Sequence, residues 1–282
     1  MPPAAPADLA ALRRRVAALE TDGERHDGPA HGTGLLPFGI PALDRPLGGG
    51  LTLGSLHEAR GQDCGAAGAL LTFALVLAAR AARARRRPVL MVQQDLAALE
   101  AGLPHGPGLE DLGLPEGALV LVRVRRVQDA LLVMEEGLKC PGLSAVLGEV
   151  ASPLPDALTA TRRLSLAARV GRGLGLLLRP TPGEDACACL TRWVIGPAPS
   201  PPEAYGGLGP PRLSAALRRN RLGPPGAWTL AVEDGTFHLA PPQAGHDRAP
   251  HPAPHPALGG AALSGPVAGP SVHRPPGTAF VA

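Results

Sequence analysis

From Leu35 to Ala240 the apolar positions fall into short runs that alternate with longer periodic stretches. The short runs Leu53–His57, Pro88–Val92, Leu119–Val124, Ser144–Val150 and Leu174–Arg179 predict strands. Between them, Ala66–Arg83, Val127–Leu138 and Asp156–Val170 carry helical signals; Pro155 opens the last, and Lys139-Cys-Pro-Gly closes the middle one. Strands and helices in alternation predict an α/β domain with a mainly parallel sheet. Further strands are expected at Ala188–Ile195, and at Leu213–Arg221 paired with Trp228–Glu233. The last two flank Gly223-Pro-Pro-Gly226, which reads as the turn of an antiparallel hairpin at the sheet edge.

Outside this core the pattern changes twice. Leu9, Leu12, Val16 and Leu19 form one apolar stripe on a predicted N-terminal helix, with Arg13, Arg14 and Arg15 mostly off it. A polar, glycine-containing linker follows, so residues 1–34 are expected to be a helix and linker, docking on the core or on a partner. Residues 35–240 form the core, and residues 241–282 are a Pro/Ala/Gly/His stretch expected to be disordered. Its histidines (246, 251, 255, 273) have no fixed geometry that would make them metal ligands.

Composition narrows the function classes. Aromatics are 2% of the chain, so the core is expected to be built of Leu, Val and Ala. A net charge of +3 announces no nucleic-acid footprint, and one lysine among 27 basic side chains reads first as a GC-rich coding bias. The four cysteines (64, 140, 187, 189) show no C-x-x-C and no histidine at zinc spacing; they are expected to be apolar fillers in a reducing compartment, with no metal site. The N-terminus lacks a signal-peptide pattern, and the apolar run Ala66–Ala79 falls short of the about 20 residues that a bilayer span needs. A cytoplasmic location is the expectation. No nucleophile–histidine–acid arrangement is legible, His57-Glu58 reads as structural, and His105 is a lone exposed histidine.

Residues 47–79 hold the one stretch with the layout of a chemical site. A glycine-rich approach, an apolar strand, a small-residue loop and an apolar helix are the layout of a phosphate-binding loop, G-x-x-x-x-G-K-[ST]. Counted from Gly61, however, the second glycine falls on Ala66, the lysine on Ala67 and the hydroxyl on Gly68, and the chain's lysine is Lys139. Asp63, beside Gly65, has the wrong sign for phosphate. The loop is therefore expected to be degenerate, with no nucleotide cofactor and no hydrolysis.

Phe38-Gly-Ile-Pro-Ala-Leu-Asp44, Leu47-Gly-Gly-Gly-Leu51 and Gly54-Ser-Leu-His-Glu58 together resemble the segment that leads into the phosphate strand of RecA-like ATPases. More narrowly, the order and spacing of several motifs resemble the ImuA family, which is related to SulA. These are Gly102-Leu-Pro-His-Gly-Pro-Gly108, Leu143–Val150, Thr159-Ala-Thr-Arg-Arg-Leu164, Thr191-Arg-Trp193, and Arg218-Arg-Asn-Arg221 followed by Pro-Gly-Ala-Trp228.

That resemblance implies a RecA-like fold with degenerate Walker motifs. It puts Glu149 in the place of the Walker B aspartate, Asp95 near the family's catalytic glutamate, and Arg219-Asn220-Arg221 at a finger that crosses to a neighbour. With Arg218 and Trp228 these make a candidate partner interface. Alternation along the strand is expected to set Arg219 and Arg221 on one face and Arg218 on the other. The two loops that contact single-stranded DNA in recombinases shrink here to residues 151–155 and 180–186, the second acidic at Glu184 and Asp185, so that mode is expected to be lost. Arg83–Arg87 and Arg123–Arg126 remain for any direct DNA contact.

The implied role is a non-catalytic adaptor in SOS-induced translesion synthesis. Its implied partners are the Y-family homologue ImuB, an error-prone C-family DNA polymerase and RecA, with no membrane. The alternatives are a SulA-like division inhibitor and a divergent ATPase.

Overall fold

A computed structural model describes residues 34–202 and 207–241. The expected N-terminal helix and C-terminal tail lie outside the described residues. A lead-in segment comes first: β1 (Leu35–Leu36), helix α1 (Pro41–Asp44), a 3-10 turn (Arg45–Leu47) and β2 (Leu51–Thr52), with β1 and β2 antiparallel. The Asp44 carboxylate accepts from the amides of Phe38, Gly39 and Ile40 at 2.7, 2.9 and 3.1 Å, closing this segment on itself.

The core then runs β3 (Ser55–Gly61), α2 (Ala67–Arg85), β4 (Val89–Gln94), α3 (Asp95–Ala101), α4 (Gly106–Asp111), β5 (Leu119–Val124), α5 (Val127–Lys139), β6 (Ala145–Glu149), α6 (Ala157–Gly171) and β7 (Leu174–Arg179). Four strands finish it: β8 (Thr191–Ala198), β9 (Arg212–Asn220), β10 (Gly226–Glu233) and β11 (Thr236–Ala240). One nine-stranded sheet has the order β11-β10-β9-β8-β3-β7-β6-β4-β5. It is parallel from β8 to β5 and antiparallel from β8 outward to β11.

The fold is thus the expected α/β type, and the predicted strands and helices recur to within a few residues. The hairpin β9–β10 stands one strand in from the edge, because β11 pairs onto it. That extra strand had a local signal. Asp234 and Gly235 both adopt positive φ (47° and 64°), a two-residue turn of the kind Asp-Gly favours between antiparallel strands.

Two apolar clusters sandwich the sheet. The lead-in segment and α2 cover one face together with Leu176, Leu178, Ile195, Leu217 and Leu230; α5 and α6 cover the other with Leu56, Val146 and Leu177. Helix α2 runs on to Arg85, 19 residues that are long and apolar enough to cross a membrane by length and composition. Its residues Phe73–Ala79 are buried instead in the first cluster. Alanines on this helix let it approach the sheet closely.

The aromatics are few but concentrated, which corrects the expected Leu/Val/Ala core. Phe38, Phe73, Trp193 and Phe237 meet at centroid distances of 5.5–6.2 Å, and Trp228 adds to Trp193 at 6.1 Å. One knot of rings joins the lead-in segment, α2 and three strands of the antiparallel flank. Phe38→Ala is expected to cost about 3–5 kcal/mol, read as a lower urea midpoint, whereas Leu99→Ala, at an 82% exposed position, changes it by under about 0.5 kcal/mol.

Candidate functional site

The degenerate loop lies where β3 hands over to α2, at the carboxyl end of the parallel strands, the usual ligand side of such sheets. Gly61 is packed under β7's exit, and a Cβ there would collide with the Pro180 carbonyl. Beyond it the Asp63 carboxylate accepts from the Gly65 amide at 2.9 Å, and the Ala66 amide donates to the Asp63 carbonyl at 3.2 Å. Two of the amides that would face a phosphate are therefore already occupied by the chain's own oxygens. Asp63 closes the loop just ahead of α2, whose own first turn has no side-chain cap. Ala67 and Gly68 offer no side-chain donor at the next two positions.

The two acids of the resemblance hold separate partners. Glu149 is buried at the end of β6 and accepts from Gln93 Nε2 at 2.8 Å, while the same Nε2 donates to the Gly102 carbonyl at 3.0 Å. Burial pushes the Glu149 pKa up, with the Gln93 hydrogen bond pulling the other way. Asp95, at the start of α3, pairs with Arg123 at 2.8 Å and Arg125 at 3.9 Å.

Several of the arginines left for DNA are likewise engaged. Arg83 donates to the Gly113 carbonyl, Arg85 to Arg172, Arg87 to Pro141, and Arg126 forms a fork on Asp129 at 2.9 Å.

The hairpin residues divide by role. A β-bulge between β8 and β9 sets Arg192 opposite Arg219 but Trp193 opposite Leu217, leaving Arg218 as the extra residue. The bulge turns Arg219 to the face of Arg192, opposite Leu217, where it donates to the Cys187 carbonyl at 3.0 Å. Asn220 donates to the Pro46 carbonyl at 2.8 Å and accepts from the Leu222 amide, tying the hairpin to the lead-in segment. The Arg221 amide donates to the Leu190 carbonyl. Trp228 stacks on Trp193. Arg218 and Arg221 are exposed, and Arg218 opens onto a groove of about 610 Å³ lined by Val194, Ala216, Trp228 and Leu239.

The residues that sequence reasoning passed over lie along β3 and β8. On one face His57 Nε2 donates to the Thr52 carbonyl at 3.0 Å, so its Nδ1 accepts from the Thr191 hydroxyl at 2.8 Å, which itself accepts from Trp193 Nε1 at 3.0 Å. This chain needs a neutral imidazole, and burial lowers the His57 pKa to about 4 against the pull of the Thr52 bond.

On the other face the buried Glu58 carboxylate is clasped by Arg60 Nε at 2.8 Å and Arg192 Nε at 2.6 Å. Arg60 also reaches Asp185 at 2.8 Å, and Arg179 lies 3.9 Å from it. Beside Glu58 sit Cys187 and Cys189, both buried, whereas Cys64 and Cys140 are exposed. A hydrogen bond from Cys189 lowers the Cys187 pKa to about 6 and pushes that of Cys189 up. Cys187-Ala-Cys189 was a visible pair in the sequence, but nothing local linked it to Glu58.

No family model matches the chain. Protein ImuA of Caulobacter vibrioides, in two strains, is 36% identical over 236 residues, covering 76% of this chain and 92% of the relative. The chain belongs to the ImuA family. The crystal structure of the RadB recombinase matches with a TM-score of 0.51 at 17% identity, over 73% of this chain and 100% of that one. That likeness fixes the fold as RecA-like.

Within this ImuA-family chain two substitutions separate structure from surface. Arg219→Ala is expected to cost about 1–2 kcal/mol by orphaning the Cys187 carbonyl, whereas Arg218→Ala stays within about 0.5 kcal/mol, both measured by denaturant unfolding. Glu149 gives a pH signature. Its folded pKa is raised, so stability is lost as pH climbs from the ordinary carboxylate range through the folded value. Glu149→Gln is expected to raise the melting temperature at pH 8 and to lose that advantage near pH 4.

Proposed function

We propose that this chain is a non-catalytic adaptor of damage-induced mutagenesis, acting with ImuB and an error-prone C-family DNA polymerase in translesion synthesis. Membership of the ImuA family supports the pathway. The carrying observation for the absence of catalysis is the start of α2, where Asp63 holds the Gly65 amide and no lysine or hydroxyl follows. Phosphoryl transfer needs fixed positive charge beside the phosphates; Ala67 stands at the lysine's place, and the nearest charge in the loop is the Asp63 carboxylate.

A protein of this kind works through its surfaces, in the cytoplasm and without a nucleotide cofactor. The partner face is the antiparallel flank. Arg218 is free of the anchoring duties of Arg219 and Asn220, and its guanidinium suits bidentate contact with a carboxylate on ImuB. RecA is a further partner on this reading. Direct DNA binding is not part of it, since Arg83, Arg85, Arg87, Arg123 and Arg126 of the basic stretches are held by internal carbonyls and carboxylates.

Two measurements test the reading. Calorimetry with Mg²⁺–ATP at millimolar concentration is expected to show no binding, and saturable binding with turnover would overturn the non-catalytic role. A pull-down of the full chain from damage-treated cells is expected to recover ImuB or the polymerase, and Arg218→Glu to lower that recovery at unchanged melting temperature. Recovery of the tubulin-like division protein in their place would move the function to a SulA-type inhibitor.

A further inference from the structure

Among the described residues, one group of metal-ligating side chains converges closely. One ligand atom each from Glu58, Cys187 and Cys189 lies within 4.8 Å of the others, and all three residues are buried. We propose that they form a binding site for a thiophilic divalent cation of the zinc class. The site is separate from the degenerate phosphate loop and does not depend on the adaptor reading.

The geometry is close to what such an ion takes. Zinc bonds of about 2.3 Å to sulfur and about 2.0–2.2 Å to oxygen set tetrahedral edges of about 3.5–3.8 Å, so atoms within 4.8 Å of one another close by at most about 1.3 Å. Side-chain rotation supplies that much without moving β3.

The ligands are also held from behind, as ligands of bound metals are. Arg60 and Arg192 each take one oxygen of Glu58 at 2.8 and 2.6 Å, leaving each oxygen a second lone pair. Arg219 fixes the Cys187 carbonyl at 3.0 Å, and the Leu190 amide donates to the Leu56 carbonyl at 2.8 Å, which lays the cysteine segment along β3. Leu56, Val150, Leu164 and Leu177 belong to the same buried cluster as the two cysteines and keep the surroundings apolar.

Charge selects the ion. Around the site stand four guanidiniums, of Arg60, Arg179, Arg192 and Arg219, against the carboxylates of Glu58 and Asp185. A hard cation such as Mg²⁺, bound by oxygen alone, would add two charges to that positive surplus. A thiophilic ion adds less, because each thiol still protonated gives up its proton as the cation enters; for two thiols, M²⁺ + 2 RSH → M(SR)₂ + 2 H⁺. Each proton released cancels one of the two added charges, so the pair of thiols, and not the lone carboxylate, decides the class of metal. Three protein ligands leave a fourth position for water.

The test is titration of the reduced, metal-stripped full chain with Co²⁺, followed by competition with Zn²⁺. Expected are one equivalent of cobalt with a near-ultraviolet thiolate charge-transfer band, its displacement by zinc, and a higher melting temperature with zinc. Cys187→Ser and Cys189→Ser together should abolish the band, and Arg192→Gln should weaken zinc binding about tenfold. The chain with Cys64→Ser and Cys140→Ser should keep both properties.

A band that survives the Cys187/Cys189 variant, or that is lost in the Cys64/Cys140 variant, overturns the site. So does the absence of any band, including the case in which the two thiols only oxidise to a disulfide. If the Cys187/Cys189 variant fails to fold, the Cys64/Cys140 variant still decides the matter through alkylation of its two remaining thiols. Zinc-dependent slowing of both supports the site, and indifference to zinc overturns it.

Discussion

The seam between β3 and β8 is fastened on both of its faces, and the two halves of the sheet depend on it. On one face Trp193, Thr191 and His57 pass hydrogen bonds to the Thr52 carbonyl in a single consistent direction; on the other, Glu58 grips Arg60 and Arg192. Consecutive residues of β3 thus face opposite layers and bind β8 in both. β8 is the last parallel strand before the antiparallel flank, so a loose seam would separate the phosphate-loop side from the hairpin side. The buried ion pairs need not add net stability, but removing one partner strands a charge where no water can reach it.

A RecA-like frame persists here without the lysine and hydroxyl of a phosphate loop. A helix N-terminus carries unsatisfied amides and a positive dipole, whether or not a nucleotide is near. Asp63 turns its carboxylate on the loop amide of Gly65 instead, just ahead of that terminus. The glycine at position 61 serves close packing against Pro180. What survives of the phosphate loop is therefore what the helix and the strands need for themselves.

The legible parts of the sequence were those governed by local pattern. Leu119–Val124 and Leu174–Arg179 were continuous apolar runs and form strands with those bounds, and α5 begins at Val127 as its periodicity required. The missed β11 carried its own turn signal in Asp234-Gly235. Other features had no local signal at all. The facing of Arg219 hangs on a bulge set by pairing with β8, and Glu58 meets the two cysteines only because the segment after β7 returns along β3. Scarcity of aromatics also misled. Their number was low, but no local pattern signalled that five of the seven would gather in one place.

The bulge at Arg218 makes the length of β9 matter more than its composition. Upstream of it, Leu213, Ala215 and Leu217 face the ring-rich core; past it, Arg219 faces Glu58's side and Asn220 reaches Pro46. Loss of Arg218 itself would leave every later side chain on its present layer, because Leu217 already faces Trp193 and Arg219 already faces Arg192. Loss of a residue elsewhere in the strand would turn the side chains on one side of the change onto the wrong layer. The one letter that β9 can drop is accordingly the one its partner strand never counted.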